Sequence, residues 1–364
     1  MTGVGRVSAR AFLGRIVIAL VLATAVVVAG LVTAFRTAEA KVASVATVPI
    51  DPALLRSGGN FLLIGSDSRA FVRNPKDADS FGEADVQTGQ RSDTIMVAHI
   101  DRDPTRSFLV SFPRDLWVDV PGIGESRINA AFNEGPQRVI RTLQQNWGIP
   151  IQHYLEVDFA GFRRLVDALG SVPIFFPAPA RDEKTGLLVK TKGCHRLRGE
   201  MALAFVRSRY YESFVDGEWE MDGTSDLGRI KRQQYFLRTV AAETLRRVQS
   251  NPWEAPTIVD AMLSSFQRDQ GLGFAGLRDF LVAFRGQAGQ PMKSLSLPVE
   301  RAFRDGQDVL ILDEEEAWPV LSRLIGGKQR RKAGAASAVT GGVAHATLLR
   351  ASAPASEGLP PAGC

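Results

Sequence analysis

Apolar residues along this chain form short unbroken runs in some places and recur every three or four residues in others. The short runs cover residues 61–64, 94–100, 108–112, 172–176 and 309–312, and turn or polar residues bound each of them. Runs of this length and composition are typical of buried strands. They predict at least five strands between residues 60 and 312.

The longer periodic stretches predict helices between those strands. Residues 159–169 repeat apolar positions at helical spacing, and Asp158 directly before them is a good N-cap. Residues 200–206 predict a short helix. Residues 226–249 predict the longest, with Arg229 and Gln233 four positions apart on one face near its beginning. Strands alternating with helices indicate an α/β fold.

A stretch of twenty residues without a charge, 16–35, comes before this pattern. As a helix it spans about 30 Å, which is the thickness of the hydrocarbon layer. Arg6, Arg10 and Arg15 precede it without an acidic neighbour. The positive-inside rule therefore predicts a single-pass protein of the cell membrane with a cytoplasmic N-terminus and an extracytoplasmic domain. The competing interpretation is a cleaved signal peptide, because residues 38–40 resemble a cleavage site.

The chain accordingly divides into five predicted segments. These are a cytoplasmic N-terminus at 1–15, a transmembrane helix at 16–35, a stalk at 36–57, a catalytic domain at 58–326, and a disordered tail at 327–364. The tail is basic at first and then rich in Ala, Ser and Pro.

Composition adds one constraint on partners. The 364 residues are 45% hydrophobic, as in globular proteins, and carry a net charge of +5 with a pI near 9.4. A basic protein can bind nucleic acid, but an exported domain rarely meets it and no helix carries a basic stripe of base-reading spacing. We expect membrane lipid or wall polymer as partners and no nucleic acid. Cys194 and Cys364 are the only cysteines; a bridge and two unpaired thiols are both open.

Short charged motifs lie where apolar runs end. Asp67 follows the first strand, Asp93 precedes the second, and Arg114 follows the third. If these positions meet at the rim of one sheet, the two carboxylates can hold a hard cation such as Mg²⁺. Taken singly, each aspartate also suits a turn or a helix cap.

Arginine supplies the complementary chemistry, since its planar fork matches phosphate oxygens. Arg207 and Arg209 alternate through Ser208, so an extended segment would present both on one side. Solvated surface arginines are the alternative. The sequence has no Walker loop and no Gly-x-Ser-x-Gly motif, and its four histidines lack zinc spacing.

Six motifs in order strongly resemble the LytR-CpsA-Psr family. They begin at Asn60 (NFLLIGSDSR), Arg91 (RSDTIM), Ser111 (SFPRD), Arg127 (RINAAF), Val206 (VRSR) and Asp226 (DLGRIKRQQ). The resemblance covers residues 58–326. It implies a single α-β-α domain with a central mixed sheet, an apolar tunnel for a polyprenyl chain and a polar mouth for its diphosphate.

The resemblance also implies roles for individual residues. Asp67 and Asp93 match the magnesium-associated aspartates of the family, and Arg114 matches its main catalytic arginine. The residues that match diphosphate-binding positions are Arg207, Arg209, Arg229 and Gln233. The implied activity is transfer of a glycopolymer from a polyprenyl-diphosphate carrier to a cell-wall hydroxyl of peptidoglycan, with arabinogalactan as one candidate polymer. The alternatives are a non-catalytic binding protein of the same fold and a DNA-binding regulator.

Two regions are longer than the usual family pattern, the connection between Asp67 and Asp93 and residues 210–222. Residues 210–222 contain five acidic side chains and no Lys or Arg, beside the expected anion site. We expect a solvated loop there, and a lid that selects the acceptor is the alternative.

Overall fold

The computed structural model describes residues 40, 47–48, 59–66, 92–101, 103–224, 226–254, 257–258, 260–261, 265–285 and 292–325. The chain divides into two units, 1–44 and 45–364, and every described residue except Ala40 belongs to the second. The predicted span 16–35 and tail 327–364 lie outside the described residues. Within the described part, no helix is both long and apolar enough to cross a membrane.

Seventeen strands are formed by the described residues. They are β1 (Thr47–Val48), β2 (Gly59–Ser66), β3 (Ser92–Ile100), β4 (Phe108–Phe112), β5 (Trp117–Val120), β6 (Gly124–Arg127), β7 (His153–Asp158), β8 (Val172–Phe176), β9 (Ala180–Asp182), β10 (Leu187–Val189), β11 (Gly193–Leu197), β12 (Glu212–Val215), β13 (Glu218–Met221), β14 (Phe266–Asp269), β15 (Lys293–Ser296), β16 (Val299–Arg304) and β17 (Gln307–Leu312).

The main helices number six in the described residues. They are α1 (Pro136–Trp147), α2 (Phe159–Ala168), α3 (Gly199–Arg207), α4 (Asp226–Ser250), α5 (Phe274–Arg285) and α6 (Glu314–Leu324). Short 3₁₀ helices lie at Pro104–Arg106, Ile128–Glu134 and Pro252–Glu254. The predicted cap of α2 is confirmed, because the Asp158 carboxylate accepts a hydrogen bond of 2.5 Å from the Gly161 amide.

A seven-stranded mixed sheet in the order β1-β14-β7-β2-β3-β4-β15 forms the centre of the domain. β3 runs antiparallel to both β2 and β4, while β2 is parallel to β7 and β4 is parallel to β15. The ends of β2, β4 and β7 therefore meet the beginning of β3 at one edge. We call this edge the site edge.

Helices cover both faces of the central sheet. On one face, Leu62, Ile64 and Val110 join a buried cluster with residues of α1 and α6. On the other face, the ring of Phe61 lies 5.3 Å from that of Phe280 in α5. The predicted α/β architecture with a central mixed sheet between helical layers is thus confirmed.

A second buried cluster joins α2, α3 and α4 to smaller sheets. β8 pairs with β11, and a four-stranded sheet has the order β10-β9-β12-β13. We call the latter the small sheet. Residues 210–222, for which a solvated loop was expected, contribute its hairpin β12–β13, so that expectation is wrong. Directly paired residues of the two strands, such as Phe214 and Trp219, have their side chains on the same face of the sheet.

Candidate functional site

Strand register brings the end of β2, the beginning of β3 and the end of β4 together at the site edge. β2 ends at Ser66, one residue before Asp67, and Ser66 pairs with Ser92 at the beginning of β3. The register shifts there, because Gly65 pairs with Thr94, so Asp93 is the extra residue of a β-bulge. Asp67 and the side chain of Asp93 lie outside the described residues. The backbone of Ser66, which precedes Asp67, pairs with that of Ser92, which precedes Asp93.

A narrow pocket with both polar and apolar lining residues lies next to this bulge, between the sheet and α4. The residues that line it are Thr94, Ile95, Met96, Ser111, Phe112, Arg114, Arg229, Ile230 and Gln233. The structure therefore brings Arg114, Arg229 and Gln233 to one place, although Arg229 follows Arg114 by more than a hundred residues.

Arg114 follows β4 in a tight turn, in which the Leu116 amide donates to the Pro113 carbonyl at 3.0 Å. Its Nε lies 3.5 Å from Oδ2 of Asp115, and Oδ1 of Asp115 lies 3.6 Å from the guanidinium of Arg127. One carboxylate thus bridges two arginines. The net charge of this trio is +1, so the mouth of the pocket keeps a positive charge that suits an anion.

The first turns of α4 supply the opposite wall. Arg229 is 3% exposed, and Nε2 of Gln233 donates to the Val206 carbonyl at 3.2 Å. A carbonyl only accepts, so this bond assigns the two ends of the Gln233 amide. Below them, Nε2 of Gln234 donates to the buried hydroxyl of Ser111 at 2.8 Å, which fastens α4 to β4.

Arg207 and Arg209 lie beside this wall, one and three residues after Val206. Arg207 is the last residue of α3, so the extended segment expected through it is wrong. Its guanidinium is exposed and lies 4.5 Å from the centre of the Phe159 ring. Arg209 is half-buried. Neither of them lines the pocket described above.

The carboxylate of Asp182 in β9 organises this arginine segment. Its Oδ2 accepts from the Ser208 hydroxyl at 2.6 Å and from the amides of Arg209 and Tyr210 at 3.0 Å. Its Oδ1 accepts from the amides of Lys184 and Thr185 at 2.9 and 3.2 Å. Burial alone would raise the pKa of Asp182, but these hydrogen bonds outweigh it and lower the pKa. No sequence signal indicated this residue.

Arg232 joins the arginine segment to the hairpin. Its guanidinium donates to the Ser208 carbonyl at 2.8 Å and to Asp222 at 2.9 Å, and it stacks 4.6 Å from the Tyr211 ring centre. Burial acts to raise the pKa of Asp222, whereas hydrogen bonds from Thr224 and Arg232 lower it overall. The DLGRIKRQQ motif that begins at Asp226 contains Arg232, but the spacing of the motif indicated no role for this arginine.

A buried hydrogen-bond chain supports the end of β2 from the opposite face. The Ser66 hydroxyl donates to Glu156 at 2.8 Å, and the Tyr154 hydroxyl donates to the other oxygen at 2.7 Å. Burial raises the pKa of Glu156 despite both hydrogen bonds. Glu156 and Tyr154 thereby hold Ser66, the residue that precedes Asp67. No local sequence pattern indicated these contacts.

The histidines play structural parts in the described chain. Nδ1 of His99 lies 2.8 Å from Asn60, His153 lies 3.2 Å from buried Asp269, and His195 lies 2.7 Å from a backbone carbonyl. Among the described residues, which include neither Asp67 nor the side chain of Asp93, no three His, Cys, Asp or Glu side chains converge as metal ligands. Cys194 is disulfide-bonded, and Cys364, the only other cysteine, lies outside the described residues.

A sequence model described as "LytR_cpsA_psr family" matches residues 28–325, which is most of the chain. The chain is 32% identical over 274 residues to the "Probable cell wall biosynthesis protein LcpB" of Corynebacterium glutamicum, covering 74% of this chain and 62% of the relative. It thus spans less than two thirds of that relative's length. It is 26% identical over 279 residues to the "Polyisoprenyl-teichoic acid--peptidoglycan teichoic acid transferase TagU" of Oceanobacillus iheyensis, covering 75% and 77%.

The fold is also similar to solved structures. The "LytR-Csp2A-Psr enzyme from Actinomyces oris" superposes with a TM-score of 0.59 at 24% identity, covering 77% of this chain and 96% of that one. At this identity the likeness concerns the fold, and it agrees with the central mixed sheet described above.

Proposed function

The chain belongs to the LytR-CpsA-Psr family, and from that membership we propose that it is a membrane-anchored phosphotransferase of cell-wall assembly. It moves a glycopolymer from a polyprenyl-diphosphate carrier to a hydroxyl of the wall, with peptidoglycan as the acceptor. The names of the relatives, a cell-wall biosynthesis protein and a teichoic acid transferase, support this class of reaction. The observation that carries the proposal is the pocket shared by Arg114, Arg229 and Gln233 at the site edge.

In the proposed reaction, the oxygen of the wall hydroxyl attacks the phosphorus that is linked to the sugar. A new O–P bond forms, the bond to the bridging oxygen of the diphosphate breaks, and polyprenyl phosphate leaves with the electron pair. The hydroxyl proton passes to solvent or to the leaving phosphate. Little covalent chemistry falls to the protein, so positioning and charge stabilisation supply the catalysis.

The arginines divide this work by their positions. Arg114 stands at the mouth with its Nε 3.5 Å from the Asp115 carboxylate, and it stabilises charge on the transferred phosphoryl group. Arg229 and Gln233 line the same pocket and hold the diphosphate. Arg207 and Arg209 bind the outer phosphate oxygens.

Mg²⁺ fits the chemistry of the remaining donors. The β2–β3 register places Ser66 beside Ser92, and in the sequence Asp67 follows the first of these residues and Asp93 the second. Carboxylate oxygens are the ligands that this hard cation prefers. When bound, the ion neutralises diphosphate oxygens. Asp67 and Asp93 would hold it, and the arginines bind phosphate oxygens directly.

The test is transfer by the purified full chain from a prenyl-diphosphate-linked oligosaccharide to peptidoglycan fragments, with release of prenyl phosphate followed by mass spectrometry. Arg114→Ala should lower the rate constant by about 10³-fold, as loss of a transition-state arginine does. Binding of the lipid diphosphate should remain. Arg229→Ala and Arg207→Ala should instead weaken lipid binding.

Arg106→Ala is the matched control. Arg106 lies in the turn between β3 and β4, at the edge of the sheet opposite the site, and its side chain is 69% exposed. It should transfer at the normal rate. Near-normal transfer by a folded Arg114→Ala protein would refute the mechanism in favour of a non-catalytic carrier-binding protein. Cleavage of the domain by protease in intact cells would test the extracytoplasmic location.

A further inference from the structure

One face of the small sheet is buried along β9 and β10, and the opposite face is open. Ala180, Asp182, Leu187 and Val189 point into the second core cluster and are at most 4% exposed. The opposite face begins with a row of four directly paired residues, one on each strand. From β10 to β13 they are Leu188, Arg181, Glu212 and Met221.

A second row on the open face consists of Phe214 and Trp219. Their ring centres are 5.3 Å apart, and the guanidinium of Arg181 lies 4.3 Å from the centre of the Trp219 ring. Phe214 is 40% exposed, Leu188 50% and Met221 60%. We call these six residues the aromatic face. Exposed apolar side chains grouped beside aromatic rings indicate an interaction site.

The polar groups in the aromatic face are arranged to meet hydroxyls. Arg181 and Glu212 form a close ion pair in the middle of the first row, beside the two rings. Together they offer several donors and acceptors without net charge. Flat rings next to a neutral donor–acceptor pair match a pyranose, which has apolar C–H faces and a rim of hydroxyls.

The charge around the face narrows the choice of partner. Asp216, Glu218 and Glu220 are exposed, and Glu218 and Glu220 alternate to the other side of the hairpin. None of these three has a salt-bridge partner among the described residues. They leave the hairpin negative, which disfavours an anionic polymer or an anionic membrane.

The small sheet that carries the aromatic face also holds the arginine segment, through its other face. Asp182, next to Arg181 on β9, accepts from the Ser208 hydroxyl and the Arg209 amide, and Arg232 joins Asp222 to the Ser208 carbonyl. The aromatic face and the arginine segment are therefore attached to the same sheet.

We propose that the aromatic face binds a neutral glycan chain, with sugar rings against Phe214 and Trp219 and hydroxyls on Arg181 and Glu212. It deepens the proposed function, on which it rests only for the statement that this glycan is the acceptor. The face holds the sugar chain while one of its hydroxyls reaches the pocket.

The test is binding of a tetramer of β-1,4-linked N-acetylglucosamine to the full chain, measured by isothermal titration calorimetry without any prenyl diphosphate. Phe214→Ala should weaken binding about fivefold, the factor expected when one ring contact is lost. Met221→Ala is a second variant, which removes only an exposed side chain and keeps the rings. It should weaken binding by a smaller factor.

Trp253→Ala is the matched control, because Trp253 is 93% exposed and lies after α4, outside the face. It should bind the tetramer like the unchanged protein. Glu218→Lys with Glu220→Lys should leave tetramer binding unchanged and allow poly(glycerol phosphate) to bind.

Two results would overturn the inference. One is no tetramer binding at millimolar concentration, whether or not poly(glycerol phosphate) or phosphatidylglycerol vesicles bind. The other is tetramer binding that folded Phe214→Ala and Trp219→Ala proteins retain in full. A chain that binds the tetramer through these rings but transfers nothing would refute the proposed function and leave the glycan-binding face intact.

Discussion

Replacing Asp182 by asparagine tests whether one buried carboxylate holds the arginine segment in place. Asp182 has no exposed surface, and its two oxygens accept five hydrogen bonds, four of them from backbone amides. An asparagine has one accepting oxygen and one donating NH₂ group. In either orientation it therefore sets a donor against two amides that need an acceptor.

The magnitude follows from those two lost bonds. A hydrogen bond to a charged group contributes about 1.5 kcal/mol or more, so Asp182→Asn should lower the free energy of unfolding by about 3 kcal/mol. With a urea dependence of about 3 kcal/mol per M, the unfolding midpoint should fall by roughly 1 M. Since Arg209 and Tyr210 lose their anchor, binding of the prenyl diphosphate should weaken as well.

The assay is urea unfolding of the full chain followed by circular dichroism, alongside Asp119→Asn as control. Asp119 is exposed and accepts one side-chain bond from Gln145, which an asparagine oxygen can also accept. Its midpoint should stay within error. The reasoning would be refuted if Asp182→Asn and Asp119→Asn unfolded at the same urea concentration.

The pH dependence of the free energy of unfolding is an independent test of the role of Asp182. The folded pKa of Asp182 lies below its usual value of 3.8, so its contribution is present above that value and is lost as pH falls through the folded pKa. The unchanged protein should therefore lose more stability than Asp182→Asn as the pH falls below about 4. An equal loss in both proteins would show that Asp182 does not titrate as the structure requires.

Three further outcomes are expected. Asp67→Asn or Asp93→Asn should lower transfer in a way that added Mg²⁺ partly restores, because the remaining ligand still binds the ion; an absence of any magnesium response would contradict the metal role. Glu156→Gln should reduce the loss of stability that the unchanged protein shows as the pH rises above 4.5. The folded pKa of Glu156 is raised above this usual value, so its contribution to stability is present below 4.5 and is lost as the pH rises through the folded pKa. Urea midpoints measured at several pH values would test this. Gly161→Ala should lower the free energy of unfolding by about 3 kcal/mol through overpacking, because the new Cβ would lie 2.1 Å from a backbone oxygen. Gly273→Ala is the control, since its Cβ would meet no atom within 4 Å, and it should leave the thermal midpoint unchanged.

Local pattern was sufficient for the elements that make the site edge. β2, β3 and β4 are apolar runs that end at charged or turn residues, and the cap at Asp158 identified the start of α2. Each of these signals acts over a few residues. The proximity of Arg114 to Arg229 follows from the sheet order instead, and only the family resemblance predicted it.

The supporting contacts could not be predicted, because they join distant positions that carry no local signal. The hairpin β12–β13 alternates acids with Ser, Phe and Trp, and its charge indicated a loop. Its stabilising partner Arg181 lies 31 residues before Glu212. The same holds for Ser66 and Glu156, which are 90 residues apart and meet only after β7 pairs with β2.

The pairing of β15 with β4 has a consequence for how the chain folds. These strands are parallel neighbours although Lys293 and Phe108 are roughly 185 residues apart in the sequence. Contacts of such long separation form slowly, because a large loop must close before they stabilise anything. During synthesis from the N-terminus, β4 and the turn with Arg114 form an open sheet edge until residues 293–296 have been made. An uncovered edge can pair with another chain, so this domain gains from covering β4 quickly, and truncation before residue 293 should produce aggregation rather than a smaller folded enzyme.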